Sequence, residues 1–178
     1  MTRHILLLRG INLAARNRIA MADLRRVLED AGFEDVRTYL QSGNVVVSST
    51  AKSDDVARKT KRLIAKHFDL DIAVVVRSRA QLAKIVERNP LKTVAKNPKR
   101  YQVSFLETKP TREVVRRVEE AAVPPEQVVA IGREIYAWHP DSIGRSRLWT
   151  LLAGQRLGIT ATARNWTTVT KLLSLAQE

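Results

Sequence analysis

The chain of 178 residues contains no cysteine. That excludes a disulfide framework, a thiolate metal site and a thiol nucleophile. Histidine is scarce: the three present, His4, His67 and His139, show none of the spacings that hold a metal. His139 precedes Pro140-Asp141, which would pair it with Asp141 if it served as a base. No glycine-rich phosphate loop, nucleophile elbow or paired-carboxylate spacing is present, so no cofactor is expected. No apolar run approaches the length of a membrane span. The apolar stretch within Met1–Gly10 is too short for a signal peptide and reads as a first strand. The chain is read as a cytoplasmic protein without membrane association, with a monomer favoured.

Acidic residues are the other shortage. Eighteen Asp and Glu face 31 Lys and Arg, a net charge of +13. Such an excess fits a polyanionic partner, whose phosphates release counterions on binding. It also fits a simple bias of composition, because arginine outnumbers lysine 21 to 10. The apolar fraction of 44% and charged fraction of 28% lie in the globular range. A chain of this length buries roughly 70% of its extended surface and needs no metal or disulfide staple.

The pattern turns on Thr38–Val47, in which Ser42-Gly43-Asn44 separates two strand-prone runs and reads as a hairpin turn. Before it, residues 3–9 fit a strand buried on both faces. Leu24, Val27, Leu28 and Ala31 give one helix face over 21–31, stopped by Gly32. After it, Ser53-Asp-Asp-Val opens a helix, and residues 71–77 read as a strand. Ser78 and Gln81 form a capping box for a helix to about Arg88, ended by Asn89-Pro90. Residues 92–100 carry four positive charges and no carboxylate, and read as a linker. Strands at 101–106, 127–131 and 134–138, a helix capped by Thr111, a helix over 145–157, a short strand at 160–163 and a last helix capped by Asn165 follow. The expected class is therefore α+β: two tandem ferredoxin-like β-α-β-β-α-β units, the second with an extra C-terminal helix. The expected divisions are a first domain over 1–78, a helix and linker over 79–100, and a second domain over 101–178.

Several stretches together resemble bacterial proteins of domain-of-unknown-function family 1697. They are Leu8-Arg-Gly-Ile-Asn12, Met21-Ala-Asp-Leu24, Gly32-Phe33, Val36–Asn44, Asp141–Ser146 and Ala163–Lys171. The resemblance implies a stand-alone cytosolic protein of two α+β domains and brings no established activity, substrate or cofactor. Where it would lead one to expect glycines and then a lysine after Asn12, this chain has Leu13-Ala-Ala-Arg-Asn-Arg18.

Three polar clusters at strand ends or helix starts are candidate ligand-binding positions. They are Arg9 with Asn12; the hairpin tip with Gln41, Ser42 and Asn44; and the C-terminal group. The last comprises Arg145 and Ser146 at one helix start, and Arg164, Asn165, Thr168 and Lys171 at the next. Residues 142–177 contain five basic and no acidic residues, and helix starts offer free N–H groups to anions. The same residue types also cap helices and stabilise turns. The expected function is binding of an anionic, phosphate-bearing small molecule or nucleic acid at a basic cleft between the two domains. An enzyme acting on a phosphorylated or nucleotide-like substrate and a protein-interaction module are the alternatives. Tyr101, Phe105, Tyr136 and Trp138 on two expected central strands would serve either to stack on bases or to fill a core.

Overall fold

The computed structural model describes residues 1–154 and 156–178. The protein is α+β, with two four-stranded antiparallel sheets and, among the described residues, six α-helices. Its contacts divide it into one unit of Met1–Ala83 with Leu172–Glu178 and another of Lys84–Lys171.

The first unit runs β1 (Thr2–Leu8), α1 (Met21–Asp30), β2 (Glu34–Tyr39), β3 (Asn44–Ser49), α2 (Ser53–Phe68) and β4 (Val74–Ser78), where α3 (Arg79–Arg88) begins. The sheet order is β2-β3-β1-β4. The run Ile5–Leu8 is continuous rather than alternating because β1 lies inside the sheet with both faces covered; all four residues are at most 1% exposed. Leu6, Leu8, Val45 and Val47 point to one face, where Leu24 and Leu28 of α1 and Val56 and Ile64 of α2 complete a core. Each such side chain contributes about 1.5–3 kcal/mol by leaving water. α1 ends where expected: Gly32 takes φ 89° and its N–H bonds Glu29 O at 2.9 Å. The Ser78–Gln81 capping box is reciprocal, at 2.8 and 3.2 Å. β4 starts three residues later than the apolar pattern suggests. Asp69 ends α2 in the left-handed conformation, and Ile72 is buried as core filling outside the strand.

The second unit continues with β5 (Tyr101–Leu106), α4 (Arg112–Ala121), β6 (Gln127–Ile131), β7 (Glu134–Trp138), α5 (Arg147–Leu152), β8 (Ala161–Asn165) and α6 (Trp166–Gln177). Its sheet order is β6-β7-β5-β8. Leu106, Ile135 and Ala137 pack with Val118 of α4 and Leu148 and Leu152 of α5. The α5 helix is shorter than expected. Ser146 caps its start, and Gly154, at φ 102°, follows closely on its end; Leu157 is buried from outside the helix. Gln155, which the expected helix included, lies outside the described residues.

The opposite face of this sheet carries Tyr101, Phe105 and Tyr136, each at most 1% exposed. The Tyr136 hydroxyl donates to Ile85 O of α3 at 2.9 Å, and Tyr101 stacks on Trp166 at 4.8 Å. Burial pushes the Tyr101 phenol up to about 12. These rings fill a core, so a flat sheet face open to bases is not what they build.

Candidate functional site

In the first unit the hairpin turn occupies Leu40–Gly43, beginning two residues and ending one residue earlier than Ser42–Asn44. The left-handed positions are Leu40 (φ 60°) and Gly43 (φ 89°). Asn44 already belongs to β3 and is fully buried; its Nδ2 donates to Tyr39 O at 2.9 Å and to Ser42 Oγ at 3.1 Å. Asn44 and Ser42 are thus brought together within the turn. Gly43 is required by close approach: a Cβ there would lie 2.7 Å from Leu8 Cβ and 2.9 Å from Ile11 Cδ1.

Asn12 ties the loop after β1 to this tip. Its Nδ2 donates to Ile19 O at 2.9 Å and to the Gln41 carbonyl at 2.7 Å, while its Oδ1 accepts from Ile19 N–H at 2.8 Å. Both ends of the amide are engaged in shaping the loop. The loop is left-handed at Asn12, Ala14 and Asn17, with φ of 54°, 53° and 49°, so a segment without glycine here still follows a glycine-like path. Asn12, Arg18 and Gln41 share an open depression of about 410 Å³. Arg9 is half-buried, and its N–H donates to Ala73 O at 3.0 Å.

In the second unit, Asn165 Oδ1 accepts from the N–H of Thr168 at 3.0 Å. That N–H is therefore engaged, as at an ordinary helix cap. Arg164 turns its guanidinium back on its own strand, donating to Thr162 Oγ1 at 2.9 Å and Ala163 O at 2.7 Å. Burial lowers it to about 10, so it remains charged at neutral pH. Lys171 is exposed on α6.

Arg145 and Ser146 fall in a different arrangement. They line a pocket of about 510 Å³ together with Arg147, Arg156, Ala121 and Leu151. Arg145, Arg147 and Arg156 are all exposed, and no carboxylate lines the pocket among the described residues. Ser146 is 8% exposed, and its Oγ accepts from Trp149 N–H at 3.0 Å while donating to Glu126 Oε2 at 2.5 Å.

Behind Ser146 lies a buried network. His139, fully buried, places Nδ1 2.6 Å from Glu126 Oε2 and Nε2 2.9 Å from Gln102 Oε1. Gln102 Nε2 donates to Trp149 O at 3.1 Å. That bond fixes the amide orientation, so Gln102 presents an acceptor and His139 Nε2 must donate to it. His139 pairs with Glu126 rather than with neighbouring Asp141. Burial pushes His139 below its ordinary value, with the carboxylate opposing. Burial alone would raise Glu126, but hydrogen bonds from Ser146 and His139 outweigh it and hold the carboxyl below its usual range.

Ser, His and Glu are present here without the geometry of a hydrolase triad. Serine and carboxylate would occupy opposite ring nitrogens. In this network both reach the Nδ1 side, and Gln102 occupies Nε2. The cluster braces the loop that carries Arg145 and the start of α5 that carries Arg147. Sequence reading missed Arg156, Glu126 and Gln102. The available signal was Gln102 and Ser104 alternating with Tyr101, Val103 and Phe105 in a fully buried strand, since buried polar groups require partners.

The family model described as a protein of unknown function, DUF1697, matches residues 1–136. The conserved bacterial protein SP0830 from Streptococcus pneumoniae has a similar fold, with a TM-score of 0.82 over 98% of each chain at 24% identity. No curated protein matches the chain.

Proposed function

Because the chain belongs to the DUF1697 family, whose description assigns no chemistry, we propose its function from the second unit's pocket: binding of a phosphate-bearing small molecule. One observation carries this reading. Three exposed arginines, Arg145, Arg147 and Arg156, border one pocket. Guanidinium groups match phosphate oxygens in a two-pronged geometry, and each charge-assisted bond contributes about 1.5–3 kcal/mol. Leu151 and Ala121 supply an apolar wall for the rest of the ligand.

Calorimetric titration at low salt with inorganic phosphate, a sugar phosphate and a nucleoside monophosphate tests the reading. Arg145→Ala and Arg147→Ala are each expected to weaken binding roughly tenfold, about 1.4 kcal/mol. Unchanged affinity in both variants would place the ligand elsewhere. We also read each unit as ferredoxin-like. The orders β2-β3-β1-β4 and β6-β7-β5-β8 support this, since a split β-α-β unit places its first strand between its third and fourth.

A further inference from the structure

We propose that one end of the second unit's sheet is a binding surface for single-stranded nucleic acid, with the arginine pocket holding one phosphate of the strand. This deepens the pocket reading and rests on it.

The register brings the parts to one end. Tyr101, which starts β5, pairs with Trp138, which ends β7; Trp138 pairs on its other side with Gln127, which starts β6. Gln102 pairs with Asn165, which ends β8. The linker before β5, the loop after β7 and the start of α6 therefore emerge together. Direct bonds hold them: His139 N–H donates to Arg100 O at 3.1 Å, Arg100 Nη1 to Pro140 O at 2.5 Å, and Trp166 N–H to Pro98 O at 3.1 Å. The loop from Asn89 to Arg100 is itself ordered by successive turns, with Ala95 N–H on Leu91 O at 2.8 Å and Arg100 N–H on Asn97 O at 3.0 Å.

Two kinds of side chain collect there. Lys96 and Lys99 are exposed on the linker, Arg100 is half-buried beside them, Arg145 is exposed on the loop after β7, and Arg147 is exposed at the start of α5. Asp141 is the one carboxylate on these segments and is exposed; Glu126, just before β6, is turned inward onto His139 and Ser146. All three tryptophans of the chain are also at this end, each half-buried: Trp138 shares the face of Tyr101 and Tyr136, Trp166 stacks on Tyr101, and Trp149 at α5 meets His139 edge-on. A positive track beside aromatic rings is the chemistry that holds single strands, because phosphates meet the charges and any base can stack. Tyr101, Phe105 and Tyr136 are fully buried, so the stacking falls to the half-buried tryptophan rings.

The test is a titration of the full chain with an unlabelled oligo(U) of about twelve nucleotides, followed by tryptophan fluorescence across a salt series. Quenching is expected, with a slope of log K against log salt of about −3, as for four neutralised phosphates of a single strand. The double variant Lys96→Ala/Lys99→Ala should reduce that slope by about 1.4. Both lysines are exposed, so circular dichroism should be unchanged. Inorganic phosphate titrated in parallel separates the two readings. If phosphate binds and oligo(U) does not, the surface proposal falls and the pocket stands. If oligo(U) binds with no fluorescence change, or with a slope untouched in the double variant, the strand lies elsewhere and the proposal falls. If neither binds, both fall.

Discussion

Replacing Gly43 with alanine is expected to destabilise the first unit by about 3 kcal/mol, the sum of an overpacked contact and a left-handed L-residue. The new methyl would stand 2.7 Å from Leu8 Cβ, on a central strand with no room to move, and 2.9 Å from Ile11 Cδ1. Leu8 N–H also donates to Gly43 O at 2.9 Å, so retreat of the turn would break a backbone bond. The expected fall in melting temperature is roughly 6–12 °C. Gly10→Ala is the control: Gly10 has φ 66° and nothing within 4 Å of its added Cβ. It isolates the conformational cost, about 1 kcal/mol. Equal losses in the two variants, measured by urea denaturation, would show that the core yields and that the contact argument is wrong.

Glu126→Ala is the second large effect, about 3 kcal/mol lost from the second unit. Removing the carboxylate takes away the 2.6 Å partner of the fully buried His139 Nδ1 and the acceptor of the Ser146 hydroxyl, leaving the two only each other at 3.2 Å. The pH dependence has a definite sign. Glu126 and His139 both sit below their ordinary values in the folded chain, so the unfolded chain takes up protons first as pH falls. The Glu126 contribution is full above its unfolded value of 4.5 and is lost as pH falls through its folded value. The His139 loss begins below 6.5, where the unfolded imidazole charges and the buried one resists. In Glu126→Ala the group that favours the imidazolium is gone. Stability should therefore fall more steeply below 6.5 than in the parent, while the lower, carboxylate-linked loss disappears. Denaturation curves on both sides of 6.5 measure this; parallel profiles for parent and variant would remove the brace from the account.

Elements written in local periodicity were legible in the sequence. Leu24, Val27 and Leu28 announced α1, the continuous Ile5–Leu8 run announced a doubly covered strand, and Ser78, Thr111, Ser146 and Asn165 announced helix starts that they do cap. Local reading failed where a distant partner decides. Leu148, Leu151, Leu152 and Leu157 continue an apolar rhythm past Gly154, yet Leu157 reaches the same core without being helical. Asn44 looked like a turn residue facing solvent and is instead fully buried, because β3 begins with it. The pocket was half visible. Arg145 and Ser146 stand in a basic run, but Arg156 reaches them only through the course of the chain after α5. The Glu126–His139–Gln102 network joins three segments that no spacing rule connects.

The sheet orders carry a kinetic consequence. The strands joined by tight turns are β2 with β3 and β6 with β7, and in both sheets the first strand in the chain lies between partners that come later. During synthesis β1 must wait for Asn44–Ser49 and then Val74–Ser78 before either edge is paired. Its apolar Ile5–Leu8 run is the segment left open longest, while the two hairpins close early. Pulse-labelled hydrogen exchange during refolding should protect Val45–Val47 against β2 before Ile5–Leu7, and simultaneous protection would show that the sheet closes in one step. A chaperone that covers Ile5–Leu8 until β3 and β4 arrive would protect the chain at the stage when that run is open.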